Sequence, residues 1–150
     1  MAGVSRQDLP IHICGLIPVY NNPMTLERVV SRVQDHLDTV IIVDDGSTDD
    51  TRSIAERLAA DSAMHVYLKR LARNSGKGAA VQAGQQLALE NGFTHALQVD
   101  ADGQHNLEDI PQVIARAQEN PRSLIAGSPV FGADIPAVRR HGRKPVSYTH

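Results

Sequence analysis

Cysteine occurs once in the 150 residues, tryptophan not at all, and tyrosine and phenylalanine hold only 3 and 2 positions. A single cysteine excludes an intrachain disulfide framework and fits a reducing compartment. Cys14 lies in an apolar segment, where it reads as a small buried hydrophobe. The formal net charge is −2 and no basic stripe interleaves with aromatic side chains, which argues against a nucleic-acid surface. No apolar run reaches the length of a membrane span, and Met1 to Pro10 lacks the hydrophobic centre of a signal peptide. A cytoplasmic protein is the expectation. Internal repeats, low-complexity tracts and interdomain linkers are also missing, so the chain reads as one domain with a sizeable core.

What is present is a regular alternation. Ile11 to Ile17 reads as a strand ended by Pro18. Asn22-Pro23 reads as the N-cap and first position of a helix whose apolar face is Leu26, Val29, Val30, Val33 and Leu37. Thr39 to Val43 is apolar on both parities, as a strand covered on both faces must be. Ser47 and Asp50 have the spacing of a capping box before a second helix carrying Ile54 and Leu58. Then come a short strand, Met64 to Leu68, a polar loop, Arg70 to Gly78, and a helix, Ala79 to Glu90, stopped by Asn91-Gly92. Thr94 to Val99 reads as a strand, Leu107 to Glu119 as a helix with Pro111 in its first turn, and Ser123 to Gly127 as a fifth strand.

This order predicts an α/β domain, a mostly parallel sheet flanked by helices. Its expected limits are 11–127, after an N-terminal tail at 1–10. Residues 128–144 read as the start of an acceptor-side region that is cut short. Residues 145–150 read as a non-native tail, because Val146 to His150 resembles a translated sequencing-library adapter.

Polar clusters stand at three strand ends: Pro18-Val19-Tyr20-Asn21-Asn22, Asp44-Asp45 and Asp100-Ala101-Asp102. In an open parallel sheet, ligands bind beyond the carboxyl ends of the strands, where the strand order reverses. A central first strand flanked by the second and fourth would bring all three clusters to one crevice. Asp100 and Asp102 are one residue apart, so an extended backbone points both to the same side. Carboxylates that close repel unless a cation or proton lies between them. Magnesium or manganese suits the pair, with substrate phosphates completing the shell. Gln104 offers a neutral oxygen, and His105 an imidazole or an outer contact. An EF-hand is excluded, since the glycine is misplaced and Pro111 occupies the twelfth position.

Asp44-Asp45-Gly46-Ser47 reads either as a tight turn with a helix cap or as acids for a nucleobase NH edge and a ribose hydroxyl. Tyr20 reads either as a surface for a base to stack on or as a half-buried core side chain. Arg73-Asn74-Ser75-Gly76-Lys77-Gly78 lacks the first glycine and the Ser/Thr of a Walker A loop. It still offers backbone amides, a helix N-terminus and Lys77 to an anion.

Together, Ile17-Pro18-Val19-Tyr20-Asn21, Val43-Asp44-Asp45-Gly46-Ser47-Thr48-Asp49, Asn74-Ser75-Gly76-Lys77-Gly78 and Asp100-Ala101-Asp102-Gly103-Gln104-His105 resemble the family 2 glycosyltransferases. The resemblance covers 11–127 and is strongest to the dolichyl- and polyprenyl-phosphate sugar synthases. Gly127-Ser128-Pro129-Val130-Phe131, Ile135-Pro136 and Arg139 to Lys144 resemble a bacterial branch encoded beside aryl-polyene lipid genes. The resemblance implies a Rossmann-like GT-A fold, a nucleoside-diphosphate sugar donor and Mg2+ or Mn2+. It implies donor contacts at Pro18, Tyr20, Asn22, Val43, Asp44 and Asp45. Asn22 stands where the family usually has glutamate, which keeps a hydrogen bond but loses a charge. Asp100, Ala101 and Asp102 are implied to meet ribose, diphosphate and metal. Gln104 joins both acids as metal ligand, Asp102 is the catalytic carboxylate, and Lys77 faces the phosphates. Pro129 replaces an arginine common in that branch, leaving Arg139, Arg140 or Arg143 as substitutes.

The expected activity is sugar transfer to a lipid or polyprenyl phosphate at the cytoplasmic face of a membrane, with no nucleic-acid partner. An ionised phosphate acceptor needs no general base. A nucleotidyltransferase would carry a glycine-rich loop after the first strand, and a dinucleotide-binding oxidoreductase G-x-G-x-x-G; Pro18-Val19-Tyr20 stands there instead. The remaining rival is a non-catalytic nucleotide-sugar-binding fragment.

Overall fold

Two runs of β-branched and aliphatic residues, apolar on both parities, fix the centre of the structure. In the computed structural model, which describes residues 10–127 and 146–148, they form β1 (Ile13–Val19) and β2 (Val40–Asp44). Every residue of β2, and all of β1 except its first, is buried. Around them come α1 (Leu26–Gln34), α2 (Thr51–Ala60), β3 (Val66–Arg70), α3 (Lys77–Glu90), β4 (His95–Gln98), a 3-10 turn (Leu107–Asp109) and α4 (Ile110–Glu119). The sheet order is β3-β2-β1-β4 and every pairing in it is parallel. β1 is therefore central, with β2 on one side and β4 on the other, the arrangement that sets a switch point at its carboxyl end.

Alternation along the strands feeds two cores. Ile17 and Val19 of β1, with Val40 and Ile42 of β2, pack against α1, α2 and α4 through Leu26, Val29, Val30, Val33, Ala55, Leu58 and Ile110. Cys14 and Leu16, with Ile41 and Val43, face α3 through Ala80 and Ala88. Helix α3 lies unusually close to the sheet at Gly84, where an added Cβ would stand 2.1 Å from Leu16 Cδ1 and 3.0 Å from Val43 Cγ2. Burial pushes the Cys14 thiol up to about 12, so it serves as packing.

Several local expectations need correction. Pro18 does not end the first strand; β1 continues through it to Val19. The backbone explains why. Gly15 N donates to Thr39 O and Val19 O accepts from Asp45 N, so odd residues of β1 face β2. Leu16 O accepts from Val99 N, so even residues face β4. The N–H that Pro18 lacks therefore belongs to the β4 side, where pairing stops at Leu16 with Gln98. Asn22 is not the cap of α1, which starts at Leu26 after a turn, with Thr25 as N-cap. No capping box forms before α2, because Ser47 is drawn to Asn21 and Asp44 instead. The third strand lies two residues later than expected and takes in Arg70. The fifth strand, β5 (Ile125–Gly127), forms but stays out of the main sheet; it pairs antiparallel with β6 (Val146–Tyr148), three residues of the segment read as a tail. The expectations for 1–9 and for Pro129, Arg139, Arg140 and Arg143 lie outside the described residues.

Candidate active site

The crevice opens where β1 and β4 part beyond Pro18. β2 stays with β1 through Val19 and Asp44, whereas β4 ends at Gln98 and its chain turns away. A strand interior that lost a ladder donor on the opposite side would have split β1 from β2 instead. Tyr20, the first residue past β1, is 44% exposed at this opening. Asn21 adopts φ 45° and fastens the rim: its N donates to Ser47 Oγ, and its Oδ1 accepts from Thr48 N at 2.9 Å.

The two acids after β2 do different things. Asp44 is fully buried; its Oδ1 accepts from Ser47 N at 2.9 Å and its Oδ2 from Arg70 Nε at 3.4 Å. Arg70 also reaches Glu56 at 2.6 Å, so the guanidinium bridges the strand end to α2. Asp45 is 4% exposed and grips the polar loop before α3, with Ser75 N donating to Oδ1 at 2.8 Å and Gly76 N to Oδ2 at 2.9 Å. Gly46 makes this docking possible. At φ +75°, an added Cβ would stand 2.5 Å from the Arg73 carbonyl carbon and 2.6 Å from Asn74 N. Only glycine lets the loop backbone lie on this turn.

The same loop reaches the acids after β4. Lys77 Nζ stands 2.5 Å from Asp100 Oδ1, and His105 Nε2 3.4 Å from Oδ2. At that distance the lysine contact is a charge-assisted pair, made to an oxygen that is itself buried. The His105 ring foremost, and then the Lys77 ammonium, hold the Asp100 carboxyl at about 2, against the opposing pull of partial burial. Asp102 is exposed, and one of its oxygens accepts from Gln104 N at 3.0 Å. Ala101 is buried and its carbonyl accepts from Thr25 Oγ1, which also lies 2.9 Å from Asn22 Oδ1. A hydroxyl has one hydrogen, so both contacts hold when the Asn22 amide turns its NH2 toward Thr25.

The structure joins Asp45, Lys77, Asp100 and His105 through the 71–78 stretch and ties Asn22 to Ala101 through Thr25, while Tyr20 follows β1 and Asp102 and Gln104 follow β4 at the same edge of the sheet. Pro18, Val43 and Ala101 are buried, Val43 inside the core beneath α3, and Asp44 is turned inward. Unforeseen members are Arg70 and Thr25; the Ser75 and Gly76 amides were expected to meet an anion, and the anion they meet is Asp45. No local pattern marks Arg70 or Thr25, since their partners are 26 and 76 residues away.

Among the described residues, no three His, Cys, Asp or Glu side chains gather to hold a metal ion. Two carboxylates suffice for a hard cation that takes the rest of its shell from phosphates and water. The donor set fits: Asp100 is ionised over the working pH range, and its buried Oδ1 already meets a cationic group, the Lys77 ammonium.

Comparison with known proteins agrees with this geometry. The family model described as Glycosyl transferase family 2 matches residues 15–149. The UDP-N-acetylglucosamine–dolichyl-phosphate N-acetylglucosaminyltransferase of Methanococcus voltae is 32% identical, over 89% of this chain and 59% of that protein. The undecaprenyl-phosphate mannosyltransferase of Micrococcus luteus is 35% identical, over 79% of this chain and 48% of that protein. The chain therefore spans about half the length of the curated relatives it matches. Among solved structures, residues 1–349 of S. aureus TarS in complex with UDP align with a TM-score of 0.61 at 25% identity, over 84% of this chain and 38% of that one. A 4-diphosphocytidyl-2C-methyl-D-erythritol synthase aligns with a TM-score of 0.61 at 14% identity, a likeness of fold alone, over 94% of this chain and 75% of that one.

Proposed function

The chain belongs to glycosyl transferase family 2, and from that premise we propose that it supplies the donor half of an enzyme moving a sugar from a nucleoside-diphosphate sugar to a polyprenyl or other lipid phosphate. The observation that carries this reading is the stretch that joins Asp45 to Asp100 through Gly76 and Lys77 at the sheet edge where the strand order reverses, with Tyr20 and Asp102 following the two strands that part there. Tyr20 presents its ring to the base, and Asn22 a neutral amide beside it. Asp45 holds the 71–78 loop against the nucleoside side, and Asp44, locked by Ser47 and Arg70, braces the turn from below.

Asp100 and Asp102, with Gln104, would hold Mg2+ or Mn2+. When bound, that ion supplies neutralisation of the charge gathering on the leaving nucleoside diphosphate. Lys77, which reaches the same side of the crevice, supplies a further positive charge for the diphosphate. The acceptor phosphate is already ionised, so its oxygen forms the new bond to the anomeric carbon as the bond to the diphosphate breaks, and no proton is moved. The dolichyl phosphate and undecaprenyl phosphate in the names of two relatives support this acceptor class. With such a lipid as acceptor, the acceptor side would work at a membrane surface, in this proposal its cytoplasmic face. No helix among the described residues is long and apolar enough to cross one.

Calorimetric titration of nucleoside-diphosphate sugars of different base, with and without Mn2+, tests the proposal. Asp102→Ala is expected to abolish the Mn2+-dependent part of donor binding, and an unchanged affinity would sink the assignment. A nucleotidyltransferase reading has only the fold likeness behind it, since β1 runs into Pro18-Val19-Tyr20 and not into a glycine-rich loop.

A further inference from the structure

One loop engages an acid on each side of the crevice. The Ser75 and Gly76 amides cap Asp45, and one residue later the Lys77 ammonium sits 2.5 Å from Asp100 Oδ1. That oxygen is also the natural place for a hard cation. It is buried and ionised, and the Lys77 ammonium lies directly against it. Two cations cannot share so short an approach to one oxygen. The Lys77 side chain, by contrast, is 54% exposed and opens α3 within a stretch, 72–78, whose residues are all exposed, so its stem is free to swing.

We propose that Lys77 is an internal stand-in for the divalent cation: it neutralises Asp100 when the crevice is empty, gives way when a cation binds, and then turns to the donor diphosphate. The proposal rests on the donor-site reading above and adds an order of binding to it. The loop stays anchored throughout, because Asp45 and Gly46 hold its backbone independently of the lysine. Lys77 is thus a positioning residue that neutralises Asp100 before the substrate arrives.

The test uses Mn2+ alone and UDP as probes. Lys77→Met removes the competitor, so the affinity for Mn2+ measured by calorimetry without nucleotide should tighten about fivefold, the scale of a partly exposed ion pair. Lys77→Arg, which keeps the charge, should bind as the wild type does. In the unmodified protein, labelling of Lys77 by an amine-reactive reagent, read by mass spectrometry, should rise on adding Mn2+ and fall again on adding UDP. Mn2+ binding no tighter in Lys77→Met, or labelling indifferent to Mn2+, overturns the proposal while leaving the donor-site reading intact. Absence of Mn2+ binding in every variant even with UDP present overturns both.

Discussion

Gly46 offers a quantitative check on how the 71–78 loop is held. Alanine there meets two obstacles. A left-handed φ of +75° costs an L-residue about 1–2 kcal/mol. The new methyl would also stand 2.5–2.7 Å from the backbone of Arg73 and Asn74, which cannot swing aside as a side-chain tip can. Overpacking of that kind costs about 1–3 kcal/mol, so Gly46→Ala should lose about 2–5 kcal/mol in all. Two controls separate the terms. Gly92 has a matching φ of +80° but open space around it, so Gly92→Ala carries the strain alone. Gly78 has open space and an ordinary φ inside the first turn of α3, so Gly78→Ala should be neutral or stabilising by up to about 1 kcal/mol.

The assay is urea unfolding with a common m-value, supported by thermal melts in which each kcal/mol moves the midpoint by about 2–4 °C for a chain of this size. Hydrogen exchange gives a local readout: in Gly46→Ala the Ser75 and Gly76 amides, released from Asp45, should lose protection, and in Gly92→Ala they should keep it. Equal destabilisation by Gly46→Ala and Gly92→Ala would refute the close approach on which the loop's position depends.

Arg70→Met should cost about 2–3 kcal/mol in urea unfolding, because it leaves the fully buried Asp44 carboxylate with Ser47 N as its partner; a loss below about 0.5 kcal/mol would return Asp44 to the substrate. Asp100 has its carboxyl at about 2, below the ordinary 3.8, so its contribution to stability is fully present above the ordinary value and is lost as pH falls through about 2. Carbon NMR of that carboxyl should titrate near 2 in the wild type and nearer 3.8 in His105→Phe, and an identical midpoint in the two proteins would remove His105 as the main cause. Cys14, fully buried with its thiol at about 12, should react with an aromatic disulfide reagent only as fast as the protein opens; reaction at the rate of a free thiol would contradict its packing beneath α3.

The fold was legible because its strongest signals are periodic. Thr39 to Val43, apolar on both parities, could only be a strand covered on two faces, and β2 is buried throughout. The crevice was legible in outline, since it required only that the first strand lie between the second and fourth. Capping and strand ends were less so. Ser47 has good capping-box spacing, yet Asn21 N and the Asp44 carboxylate engage it, partners supplied by the neighbouring strand and the turn itself. Pro18 looks like a strand terminator until its missing N–H is assigned to a side, and that side depends on where β4 stops. Local sequence carries propensity; which of a residue's polar groups is already spoken for is decided by elements that topology brings alongside it.

The acids make the point most sharply. Asp44, Asp45, Asp100 and Asp102 are chemically identical and read from the sequence as two pairs, one for the nucleoside and one for a metal, but burial grades them singly. Asp44 is sealed and balanced by a guanidinium, so it shapes the turn. Asp45 is nearly sealed and saturated by two amides, so it sets the loop. Asp100 is half-buried and shared between a ring and an ammonium that can leave. Asp102 stands in solvent with one oxygen committed to Gln104 N. The capacity to meet an incoming ligand rises along that series, because a carboxylate whose lone pairs are all engaged must break bonds before it can make new ones. Asp102 is therefore the acid with the most capacity left for a ligand, and the other three are committed to the protein to a degree that rises with burial.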